Sequence, residues 1–132
     1  MQIFISLIIS LVFMVGADFL WIGYIARDFY TKNLSSAINL EFSILPGIVF
    51  YILYFVGLYV FALAPGAASG SVFKSIGLAA LFGFMCYMTY DLTNMATIRS
   101  WPLTVTIVDI LWGTMLAGAI GALYFKVYQY FL

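Results

Sequence analysis

Three aspartates, Asp18, Asp91 and Asp109, interrupt long apolar runs in a chain of 132 residues. A carboxyl group in such a setting can pair with a cation or amine, carry a proton, or tie helices together by hydrogen bonds. Two carboxyls held in different environments can also divide the roles of general acid and general base. The neighbours at helical spacing are polar and aromatic. Tyr87, Asp91 and Asn94 form one stripe, Thr106, Asp109 and Trp112 a second, and Asp18 and Trp21 a third.

Chemistry that depends on histidine has no residue to use, because the chain contains none. The commonest metal ligand and the commonest general base are both missing, so no metal and no cofactor is expected. The single cysteine, Cys86, cannot form an internal disulfide and reads as a buried, inert thiol. Five basic residues balance five acidic ones, which leaves no basic surface for nucleic acid.

The elements that must position these residues are membrane spans. Of the residues, 66% are hydrophobic and 8% charged, with a mean hydropathy of +1.14, whereas a soluble domain is about 25% charged. A spanning helix needs about 20 mostly apolar residues. Four stretches qualify, at about residues 2–26, 44–64, 72–96 and 103–127. The expected fold is an all-α integral membrane four-helix bundle, forming one domain over 1–132. The N-terminal stretch has no basic leader and is too long for a signal peptide, so it reads as a retained span. Pro46 sits in the first turn of the second helix, where proline is tolerated, and Pro65-Gly66 reads as its end. Trp101-Pro102 signals the start of the fourth. Within the first link, Tyr30, Leu34, Ile38 and Phe42 recur at helical spacing and predict a short interfacial helix in 28–42.

An even number of spans puts both termini on one side. Arg27, Lys32 and Arg99 flank that bundle on the side of the first and third links, against Lys74 and Lys126 on the other. Three against two is too small a bias to fix the orientation, and leans toward cytoplasmic first and third links. Gly113, Ala117 and Gly121 repeat every four residues on the fourth helix, a spacing that lets backbones approach closely. Packing inside the bundle is the plain reading of this stripe, and a homodimer face the alternative.

Depth links the three acids. Asp18 precedes Arg27 by nine residues, Asp91 precedes Arg99 by eight, and Asp109 follows Trp101 by eight. Each therefore lies roughly 12–14 Å along its helix from the same membrane face. Tyr51 reaches a similar level on the second helix. An ionised side chain at a helix centre costs about 2.5–3.5 kcal/mol, so three facing lipid would cost roughly 7–10 kcal/mol. They are expected to face inward and to share a proton, meet Tyr, Thr, Asn or Trp donors, or pair with something that binds. Arg27 and Arg99 lie two turns away and are expected to snorkel outward. Trp101 fits an interfacial aromatic belt; Trp112 lies too deep for one. The string DFLW at 18–21 is echoed by DILW at 109–112 on a helix running the other way.

Taken together, GADFLWIGY on the first helix, TYDLTNMAT closing the third and WPLTVTIVDILWG opening the fourth resemble a family of small, four-span bacterial membrane proteins of unknown function. The matching positions are Asp18, Asp91, Asn94, Trp101, Pro102, Asp109 and Trp112. The resemblance implies a bacterial inner-membrane location and four helices, and no mechanism.

The residues themselves favour binding or transport of a small molecule, cation or lipid. The site would comprise Asp18, Asp91, Asp109, Asn94, Trp21, Trp112, Tyr51, Tyr87 and Thr106. Carboxylates set among aromatic rings suit an amine or cation. One alternative is an intramembrane enzyme that modifies a lipid or isoprenoid by carboxyl acid–base chemistry. The other is an accessory subunit of a larger membrane complex.

Overall fold

The computed structural model describes residues 1–35, 37 and 43–132. Four helices are long and apolar enough to cross a membrane: α1 (Gln2–Ile25), α3 (Ile44–Ala68), α4 (Val72–Thr97) and α5 (Leu103–Tyr130). A short helix, α2 (Arg27–Leu34), follows α1. The expected interfacial helix is thus present over part of its range, while Ile38 and Phe42 lie outside the described residues. Most of the large apolar side chains on α1 and α3 face outward, as the hydrocarbon phase allows.

Two of the spans contain a π-helical turn. In α1, Trp21–Ile25 is widened so that the Ala26 N–H donates to the Trp21 carbonyl at 2.7 Å, five residues back. The extra residue turns the chain into α2 and brings Tyr30 beneath Trp21. In α3 the turn covers Tyr59–Leu63, and the Ala64 N–H donates to the Tyr59 carbonyl. This changes the expected end of that helix. Pro65 has no N–H, and in regular α-geometry its ring would strike the carbonyl one turn back. The wider turn just before it absorbs the mismatch, and the helix runs on to Ala68 instead of stopping at Pro65-Gly66.

The helices pack in the order α1, α5, α4, α3, with the most extensive contact between α4 and α5. Small residues set that contact. A Cβ on Gly83 would lie 2.3 Å from the Gly113 carbonyl oxygen and 2.6 Å from the Ala117 Cβ. A Cβ on Gly121 would lie 2.6 Å from the Ser75 carbonyl oxygen. The Ser75 hydroxyl, fully buried, donates to the Gly121 carbonyl at 2.9 Å and fixes the register. Gly113, Ala117 and Gly121 are all buried against α4. The stripe is used within the chain, and a dimer through the same residues has no free surface there. Further along, α1 and α3 diverge around an apolar groove of 650 Å³ lined by Leu11, Val15 and Phe19 on one side and Ile48, Tyr51 and Phe55 on the other.

The link between α4 and α5 is tight. Ser100 takes φ 66°, a left-handed conformation that disfavours a side chain by roughly 1–2 kcal/mol. That turn directs Trp101 inward, against Leu34 and Val105.

The close approach of α4 and α5 predicts a paired result. Gly83→Ala should lower unfolding stability by about 1–3 kcal/mol, as overpacking does. Gly77→Ala, with nothing within 4 Å of its Cβ position, should leave it unchanged. Thermal unfolding of the detergent-solubilised protein followed by circular dichroism measures both.

Candidate functional site

The three aspartates gather in one region, and the structure divides them into two kinds. Asp18, 3% exposed on α1, accepts two hydrogen bonds. The Trp112 indole N–H of α5 donates to Oδ1 at 2.9 Å, and the Tyr51 hydroxyl of α3 donates to Oδ2 at 3.2 Å. Each oxygen has its own donor, so this carboxyl joins three helices. On α5, half-buried Asp109 accepts from the Tyr30 hydroxyl, and the Trp21 indole N–H donates to that same hydroxyl oxygen at 3.2 Å. The Trp21 and Trp112 rings stack at 4.4 Å with an interplanar angle of 6°. This stack connects the hydrogen-bonded set around Asp18 with the set around Asp109.

Asp91 is different. It is 0% exposed on α4, and among the described residues no donor reaches either of its oxygens. Its polar neighbour is the Asp109 carboxyl. Two carboxyls are both acceptors unless one of them holds a proton. Among the described residues, the donors to Asp18 and Asp109 are indole and phenol groups, never lysine or arginine.

Beside Asp109 lies an open cavity of 590 Å³. Its walls carry Trp21, Tyr30, Tyr87, Tyr90, Trp101 and Trp112, with Arg27, Thr31 and Leu34 contributed by the α1–α2 corner. The Tyr87 ring fits because Gly113 faces it: a Cβ there would come within 2.2 Å of the ring. Burial, followed by the adjoining Asp109 carboxyl, pushes the Tyr30 phenol above its ordinary range. That phenol therefore remains a donor at any physiological pH.

Six of the residues expected from spacing thus share one network or its adjoining wall: Asp18, Asp109, Trp21, Trp112, Tyr51 and Tyr87. Asp91 stands directly behind Asp109. Thr106 is buried nearby but is engaged by Trp101, whose indole N–H donates to its hydroxyl at 3.1 Å. Asn94 lies half-buried one turn beyond Asp91 and takes no part in these bonds. Trp101 departs from its expected place in an interfacial belt. It is 8% exposed, because the Ser100 turn folds it onto α2 and α5. Arg27 is exposed and borders the cavity. Tyr30 was legible only as an apolar-face position of the interfacial helix. Its role as a donor depends on the π-turn, which no spacing rule announces. Among the described residues, no group of three or more His, Cys, Asp or Glu is placed to hold a metal ion.

Asp18 offers a direct test of the network. Asp18→Asn keeps an acceptor oxygen and should cost less than about 1 kcal/mol, whereas Asp18→Leu strands the Trp112 and Tyr51 donors and should cost about 2–3 kcal/mol or more. Thermal unfolding in detergent ranks the two, and equal losses would mean that these hydrogen bonds contribute nothing.

No curated protein and no solved structure matches the chain. A family model described as "Predicted membrane protein (DUF2177)" matches residues 3–125, nearly the whole length. With that match and its four apolar spans, this chain belongs to the DUF2177 family of membrane proteins.

Proposed function

We propose that the protein binds an organic cation or amine in the aromatic cavity beside Asp109, and that this binding serves uptake or exchange across the membrane. The observation that carries the reading is a carboxyl without a cationic partner, bordering a cavity whose walls are largely indole and phenol rings. An ammonium group there gains the carboxylate charge and the ring faces together. Desolvated cation–π contacts are worth about 2 kcal/mol each. A 590 Å³ space lies within the roughly 300–1,000 Å³ usual for small-molecule sites. The Tyr30 phenol holds the Asp109 carboxyl in place without supplying a positive charge, which leaves that role to an arriving cation.

On this reading the chain is a single domain of the bacterial cytoplasmic membrane, crossing it four times with both termini on one side. Arg27 at the cavity border favours ligands that carry the positive charge at one end and a polar or anionic group at the other. Lipid-derived amines satisfy that description as well as soluble ones do.

The test uses tetraphenylphosphonium, a lipophilic cation with no proton of its own, and the full-length protein in nanodiscs. Binding should quench the emission of Trp21 and Trp112. Asp109→Asn should weaken it at least about tenfold, equivalent to about 1.4 kcal/mol. Trp21→Leu should weaken it by about three- to thirtyfold through loss of one ring face. Equal affinity in wild type and Asp109→Asn would remove the carboxylate from the site and overturn the proposal.

A further inference from the structure

The Asp91–Asp109 pair is built unlike Asp18, and the difference points to what accompanies ligand binding. Asp91 is wholly enclosed, and none of the described residues donates to it. Asp109, its carboxyl neighbour, faces the cavity. With both groups ionised, two negative charges would stand side by side in a desolvated interior with no donor on the inner one. One proton between them removes that repulsion and gives Asp91 its missing hydrogen bond.

Other groups facing the pair do not take over that role. From α2, the Tyr30 hydroxyl is already given to Asp109, and Arg27 borders the cavity without a hydrogen bond to either acid. From α1, the carboxyl of Asp18 is saturated by Trp112 and Tyr51. On α4 itself, Tyr87 and Tyr90 line the cavity wall and donate to neither. The pair's negative charge therefore has two possible partners: a proton held within the pair, or a cation arriving through the cavity.

We propose that Asp91 and Asp109 hold one proton between them and release it when an organic cation enters the cavity, so that the protein exchanges a proton for its ligand. The inference rests on the binding site proposed above and adds the coupled ion. The exchange balances. The carboxyl O–H bond breaks, the proton leaves to water through the cavity, and the entering cation pairs with the second carboxylate. The site carries one net negative charge before and after. Because proton and cation compete for the same pair, the affinity for the cation rises with pH until the pair has lost its proton.

Isothermal titration of the full-length protein in nanodiscs with tetraphenylphosphonium, repeated in phosphate and in Tris, measures the released proton from the difference in heat. Wild type should release about one proton per bound cation, and its affinity should rise by up to about tenfold per pH unit. Asp91→Asn supplies an amide donor to Asp109 and leaves nothing to share. It should still bind, release no proton and lose the pH dependence. Binding by the wild type with equal heats in the two buffers would overturn the exchange while leaving the site intact. Absence of binding in wild type would instead overturn the site itself, and the exchange with it.

Discussion

A carboxyl group in hydrocarbon has no water to solvate it, and every structural choice around Asp18, Asp91 and Asp109 follows from that constraint. Facing lipid is excluded by a cost of several kcal/mol per ionised group. The chain answers with enclosure and with donors that carry no charge: one indole from α5 and two phenols, one each from α2 and α3, with the α1 indole Trp21 donating in turn to the α2 phenol. Such donors hold a carboxyl in place without neutralising it. An arginine or lysine in the same position would have formed a closed ion pair.

Bringing four helices to one layer requires the rest of the sequence to cooperate. The small residues of α4 and α5 let those backbones approach until Gly83 meets the Gly113 carbonyl, which places Asp91 beside Asp109. The same Gly113 leaves room for the Tyr87 ring at the cavity wall. Two π-turns then adjust rotation where a regular helix would misdirect the chain. One follows Asp18 and swings α2 under Trp21; the other lets α3 pass Pro65 without breaking. π-Turns are rare and occur often beside functional sites, since the extra residue re-aims side chains that a straight helix would leave pointing outward.

The sequence already contains the four spans and the common depth of the acids, because both follow from counting at 1.5 Å per residue along apolar runs. Tyr51 was legible in the same way, and its hydroxyl does reach Asp18. What counting could not deliver was everything that depends on a local change of pitch or on a strained turn. The π-turn at Trp21–Ile25 decides that Tyr30 points to Asp109. The left-handed Ser100 decides that Trp101 is a buried cavity wall and no belt residue. Pro65 looked like a helix end because proline usually is one, and the compensating turn before it leaves no compositional mark. Asn94 shares a helical stripe with Asp91, yet a stripe is broader than a site, and only the inner part of it meets α5.

Residue type and depth are therefore poor guides to the state of a buried acid; the donors around it decide. Asp18 and Asp91 are the same residue, both enclosed, on helices of one bundle. Asp18 receives a separate donor on each oxygen, so both of its acceptors are engaged, and replacing the carboxyl would strand both donors. Asp91 receives none, so its charged form has nothing to compensate desolvation except a proton shared with its neighbour or a cation beyond it. The first arrangement is one of fixed geometry and suits a strut between helices. The second leaves an acceptor pair without a donor among the described residues, where Asp109 opens onto the cavity, and it is this difference that the proposed exchange builds on.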